Sequence, residues 1–121
     1  MSNNPVCWFE IYVEDMARAK RFYESVFQVT LAKINTEMEM WGFPSDMDRY
    51  GACGSLVKME GVCPGGSTLV YFACKDCAVE AARVKEAGGS IHKEKMSIGE
   101  YGFMVLAVDT EGNMIGLHSL Q

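Results

Sequence analysis

Few side chains in this 121-residue chain are placed to do chemistry. Residues 6–13, Val-Cys-Trp-Phe-Glu-Ile-Tyr-Val, are β-branched and aromatic in type and predict a strand, with Glu10 its one internal charge. One parity, Cys7, Phe9, Ile11 and Val13, is apolar throughout. The other, Trp8, Glu10 and Tyr12, is amphipathic. Such a strand puts core on one side and a lined cavity or solvent on the other. A carboxylate set among apolar neighbours can serve as a general base. Its plain structural role is to hold a cavity water or to pair with a Lys or Arg. Of the two histidines, His118 could relay a proton or face solvent, and His92 lies in Ile91-His92-Lys93-Glu94-Lys95, which reads as a solvated edge. Tyr101, between Glu100 and Gly102, reads as a turn or rim residue.

The five cysteines include Cys74-Lys75-Asp76-Cys77, a C-x-x-C spacing. Redox chemistry wants that motif at a helix start, where the thiol pKa falls. Zinc wants a second Cys/His pair, and no regularly spaced one exists. The remaining reading is two small apolar residues packed between a strand end and a helix start. An odd cysteine count and an N-terminus without a basic residue before an apolar run lead us to expect reduced thiols and a cytoplasmic protein.

These groups need elements to position them. With 49% hydrophobic and 22% charged residues, the composition is that of one globular domain, not of a disordered chain. No apolar run approaches the roughly 20 residues that span a bilayer. Eleven basic against 16 acidic residues give a net charge of −5, and the basic residues are scattered apart from Arg18, Lys20 and Arg21 and from Lys93 and Lys95. Neither nucleic acid nor an anionic membrane is an expected partner.

Asp15 sits where a helix N-cap belongs, and Met16, Ala19, Phe22, Tyr23, Val26 and Phe27 form an apolar stripe over a helix from Met16 to Phe27, read as core. Residues 29–35, 38–43 and 52–59 read as strands, with a loop over 44–51 that could act as a lid. Met40 and Met59 are expected in the core, and Met47 is left open. Glu60 to Gly66, containing Pro64-Gly65-Gly66, breaks the chain. The pattern then repeats: a strand over 67–74, an N-cap at Asp76, a helix carrying Cys77, Ala81, Val84 and Ala87 that Gly88-Gly89 stop, and strands over 90–95, 102–108 and 114–119. Asp109-Thr110-Glu111-Gly112-Asn113 forms the last hairpin turn. The two caps lie 61 positions apart, which marks an internal duplication.

This order resembles the vicinal oxygen chelate superfamily of glyoxalase I, bleomycin-resistance proteins and extradiol dioxygenases. The resemblance rests on Phe9-Glu10-Ile11-Tyr12-Val13-Glu14-Asp15, on the helix with Arg21-Phe22-Tyr23, on Gly88-Gly89, and on Asp109 to Leu117. It implies an α+β fold of two βαβββ modules, near 5–62 and 66–121 of a single domain, whose curved mixed sheets surround a cup. It also implies a homodimer. Metal-dependent members carry about four His, Gln or Glu ligands in the first and last strands of the modules. By resemblance these positions fall on Trp8, near Val70, on Gly116, and within 52–58, where Gly54 and Leu56 or else Ser55 and Val57 face inward. Trp, Val and Gly do not suit a divalent cation, so no metal or other cofactor is expected.

With Trp8 facing the cup, alternation brings in Glu10 and Tyr12. With Gly116 facing it, Met114 and His118 follow. Trp8, Tyr12, Val70, Phe72, Met114 and Gly116 are the expected ligand contacts, and Glu10 and His118 the titratable pair. Three functions remain. The first is small-molecule binding in a metal-free cup. The second is a metal-independent lyase or isomerase acting on a small carbonyl compound, with Glu10 as base. The third is a non-catalytic dimeric interaction or regulatory module.

Overall fold

The computed structural model describes residues 4–34, 36–46, 48, 51–59 and 68–121. Met47, Cys63, the break over Glu60–Gly66 and part of the 44–51 loop lie outside the described residues. The chain folds as two compact units, Trp8–Thr68 and Met1–Cys7 with Leu69–Gln121.

The first module begins with β1 (Val6–Tyr12), then α1 (Met16–Phe27), β2 (Ala32–Lys33), β3 (Glu39–Gly42) and β4 (Cys53–Lys58). Its strands are ordered β2-β3-β4-β1, with β1 parallel to β4 and the others antiparallel. The second module is β5 (Thr68–Ala73), α2 (Cys77–Glu86), β6 (Ser90–Ser97), β7 (Phe103–Val108) and β8 (Met114–Ser119). Its order is β5-β8-β7-β6, with β5 parallel to β8. Each is a βαβββ module, and the fold class is α+β.

Both helices start where their sequence says. Asp15 Oδ1 accepts from Arg18 N at 3.0 Å, and Asp76 Oδ1 accepts from Ala78 N at 3.0 Å. A side-chain acceptor there satisfies one of the orphan donors of the first turn. Glu80 in the first turn of α2 and Arg83 and Lys85 in its last complement the helix dipole. Gly88, at φ 101°, takes the chain out of α2 through a conformation that suits glycine.

Each helix packs on one face of its own module's strands. Under α1 lie Val13, Met16, Leu31 and Leu56, flanked by Ile11, Tyr23, Trp41 and Phe43. Under α2 lie Cys77, Ala81, Val105 and Leu117, flanked by Phe72, Val84, Ile91 and Phe103. These clusters fix which parity of each strand faces a helix and which faces away.

Several expectations shift. The α1 stripe is core only along Met16, Ala19 and Tyr23; Phe22 is 59% and Phe27 61% exposed, and Val26 is exposed as well. Phe22 stands on the flank of the helix, and Val26 and Phe27 fall in its last turn, beyond the members of the cluster. The strand expected over 29–35 is reduced to Ala32–Lys33. Leu31 tucks into the α1 core, and its N–H is taken at 2.8 Å by Glu24 Oε2 instead of by a neighbouring strand. Met40 is buried as expected, whereas Met59 is exposed. A 3-10 turn over Gly99–Tyr101 was not anticipated.

Candidate functional site

In the unit Trp8–Thr68, Ile11 pairs in register with Leu56, and both belong to the α1 side. Trp8, Glu10 and Tyr12 therefore face away from the helix, as their parity predicts. On β4 the same face carries Cys53, Ser55 and Val57, the register partners of Trp8, Glu10 and Tyr12. The open choice within 52–58 thus falls on Ser55 and Val57, because Gly54 and Leu56 lie on the helix side.

Glu10 is 5% exposed. Its Oε1 accepts from the Tyr12 hydroxyl at 2.8 Å, and its Oε2 accepts from Trp8 Nε1 at 3.2 Å. The carboxylate is held from both sides by residues two positions away on its own strand. Burial first, then the Glu10 charge and the hydrogen bond to it, push the Tyr12 hydroxyl well above the ordinary tyrosine pKa, so it stays a donor. Opposite Glu10, Ser55 is fully buried and its hydroxyl has no hydrogen-bond partner among the described residues.

In the other unit the parity of β5 departs from expectation. Phe72 pairs with Leu117 and packs under α2, so Phe72, and Val70 of the same parity, face the helix. Tyr71 occupies the opposite face, paired with Gly116. A Cβ on Gly116 would overlap the Tyr71 ring, so the space beside Gly116, an expected ligand contact, is filled by that ring. Val70 and Phe72 are thereby removed from the face that carries Gly116, Met114 and His118. The sheet pairing, which sequence spacing did not supply, decides this. Met114 is exposed. His118 places Nε2 2.6 Å from the Tyr101 carbonyl, which can only accept, so that nitrogen carries the proton. Its donor is thus committed to the 3-10 turn.

The C-x-x-C pair is not arranged for redox work. Cys77 is wholly buried in the α2 core, and burial pushes the Cys74 thiol up to about 11. That is opposite in direction to the lowered pKa of a reactive thiol.

The duplication makes the two faces comparable position by position. Glu10 and Tyr71 lie 61 positions apart, as do Ser55 and Gly116 and the two caps. One module therefore holds a carboxylate beside a hydroxyl where the other holds an aromatic ring over a glycine. Applied to Trp8, the same offset gives Leu69. The positions implied for metal ligands are then Trp8, Ser55, Leu69 and Gly116. An indole, a hydroxyl, an isobutyl group and a bare hydrogen are not a donor set for a divalent cation. Among the described residues no group of three or more His, Cys, Asp or Glu could hold a metal ion. The residues present do not fit the ion that the fold carries elsewhere.

The sequence profile of the Glyoxalase/Bleomycin resistance protein/Dioxygenase superfamily matches residues 6–117. The chain belongs to this superfamily. Among solved glyoxalase-fold structures it is similar to the methylmalonyl-CoA epimerase of Mycobacterium tuberculosis, at 15% identity and a TM-score of 0.71 over 97% of this chain and 88% of that one. A hypothetical protein of Bacillus halodurans matches at 11% identity and a TM-score of 0.72, over 100% of this chain and 96% of that one. A variant of the Streptomyces coelicolor methylmalonyl-CoA epimerase, in complex with 2-nitronate-propionyl-CoA, matches at 14% identity and 0.70, over 98% of each chain. These likenesses show the fold. A search of curated proteins finds no match. Among the described residues no helix is long and apolar enough to cross a membrane.

Two clefts open beside the start of α1. One, of about 550 Å³, is lined by Glu14, Asp15, Arg18, Glu39 and Lys58 among others; the other, of about 450 Å³, by apolar residues including Ile11, Ala19 and Phe22. Only Tyr12 belongs both to a cleft and to the Glu10 face. We place the candidate site at Glu10, because buried polar groups held in fixed geometry are a stronger sign of chemistry than a surface cleft.

Proposed function

We propose that this member of the glyoxalase superfamily binds a small molecule without a metal ion, on the face built by Trp8, Glu10, Tyr12 and Ser55. The observation that carries this reading is the Glu10 carboxylate, buried and held by Trp8 and Tyr12. Burying a charge opposes folding, and an apolar side chain would fill the same space more cheaply. Trp8 and Tyr12 turn their polar ends to Glu10, which leaves their ring faces for a ligand.

A second reading is base catalysis. Glu10, held in place by Trp8 and Tyr12, could remove a proton beside the carbonyl group of a small substrate, as a lyase or isomerase requires. The epimerases among the similar structures act on CoA esters, which makes methylmalonyl-CoA a suitable probe alongside simple carbonyl compounds.

The test is a thermal-shift and amide-NMR screen of the full chain against methylmalonyl-CoA and a panel of small aldehydes, ketones and amides. Saturable shifts at Trp8, Glu10 and Tyr12 support the binding site. Turnover that Glu10→Gln abolishes while binding persists supports catalysis. A chain that binds none of them overturns both readings. We also propose a homodimer in a reducing cytoplasm. Exposed Phe22, Val26 and Phe27 support the dimer, and a light-scattering mass of one chain would refute it.

A further inference from the structure

Among the described residues Ser55 is one of two whose side chain holds a buried oxygen without a hydrogen-bond partner, the other being Glu80 on α2. It sits mid-strand in β4, wholly buried, and its hydroxyl meets no hydrogen-bond partner. Its register partner is Glu10, and Met40 and Val57, both buried, stand on the same face. Buried polar atoms are nearly always satisfied, and an orphan marks a functional contact or a missing water. The corresponding position in the other module is Gly116, so the fold itself does not call for a hydroxyl there. An alanine would keep the strand and remove the penalty. A Ser that would cost stability at this position points to a use for its hydroxyl.

We propose that the Ser55 hydroxyl donates a hydrogen bond to the carbonyl oxygen of the bound small molecule, and so sets its orientation against Glu10. This deepens the small-molecule reading above and rests on it. A donor left unpaired is the worse deficit in a buried hydroxyl, so the ligand must bring an acceptor. Beside a carboxylate, a neutral carbonyl oxygen fits better than an anion, because like charges in a desolvated site repel strongly. The apolar remainder of such a ligand has the half-buried Trp8 ring to lie on.

The experiment compares acetophenone with α-methylstyrene, which has the same shape and no acceptor. Both are titrated by amide NMR into the full-length wild-type protein and into Ser55→Ala. We expect acetophenone to bind the wild type roughly 3- to 10-fold more tightly than the alkene, the size of one net hydrogen bond. We expect Ser55→Ala to erase that difference. The ligand-free variant should also melt higher, by roughly 2–8 °C, as an unsatisfied hydroxyl is removed. Equal binding of the two compounds to the wild type, or a preference for acetophenone that survives in Ser55→Ala, overturns the proposal. So does an unchanged melting temperature, which would mean that an ordered water satisfies the hydroxyl. The two readings fail separately. A compound that moves the Trp8 and Glu10 amides equally in both proteins removes the role of Ser55 and keeps the site. A wild type that binds no compound removes both.

Discussion

The ring of Tyr71 lies over Gly116, its register partner on the parallel strand β8, and fills the space a side chain there would need. The pairing commits that face of the second module to packing, where the first module presents Glu10 and Ser55. Gly116→Ala should therefore drive the ring off its position and destabilise the fold by about 1–3 kcal/mol. Thermal melts measure this. Combined with Tyr71→Leu, the loss should be smaller than the two separate losses added together. An unchanged melting temperature in Gly116→Ala would show that the ring yields freely.

Tyr12→Phe removes a donor that the strand itself supplies to Glu10, and leaves a buried carboxylate less well held. A loss of about 1–3 kcal/mol is expected from chemical denaturation at neutral pH. The alkaline limb follows from the raised pKa of Tyr12. The folded state holds that proton more tightly than the unfolded state, so stability is full below the ordinary value of 10.0 and declines as pH rises beyond it. Absorbance titration should show a late-ionising tyrosine component that Tyr12→Phe removes.

At acid pH the controlling groups are Asp109, Asp76 and Asp15, each held below the usual carboxylate range. Asp109 accepts from the backbone and side-chain nitrogens of Asn113 and from Glu111 N. Asp76 is held by Lys95 and Ala78, and Asp15 by Arg18. A lowered folded pKa gives stability that is present above the unfolded value, near 3.8, and lost as pH falls through the folded one. Stability should hold to about pH 4 and fall below it. Asp109→Asn should lower the melting temperature at neutral pH and flatten the acid limb. An acid limb identical to that of the wild type would count against the turn as a contributor.

The Cys74 thiol, pushed up to about 11 by burial, should alkylate slowly at neutral pH and faster only as the solution becomes alkaline. Mass-spectrometric counting of iodoacetamide adducts against pH measures this. Rapid modification at pH 7 would contradict the environment described for this side chain.

Much of the fold was legible because it is local. Asp15 and Asp76 announced both helices, and the parity of β1 put Trp8, Glu10 and Tyr12 on one face. What failed was what depends on partners far away in sequence. Phe72 against Tyr71 is a matter of which residue meets Leu117 and which meets Gly116, and an apolar strand such as Leu69-Val70-Tyr71-Phe72 has no polar alternation to reveal it. Leu31 looked like strand until the Glu24 carboxylate took its N–H. For Ser55, one of two alternatives by alternation, the deciding signal is the 61-residue offset between the caps, which carried back from Gly116 lands on it. No pattern in the sequence could have shown that its hydroxyl lacks a partner, since that is a property of packed neighbours.

The shared frame of the two modules has a consequence for how this protein could change over generations. Exchanging two side chains, Glu10 for an aromatic ring and Ser55 for glycine, would give the first half the inert, filled arrangement already present in the second. The Glu10 face is thus a small polar departure from the packed arrangement that the chain's own other half carries at the same positions.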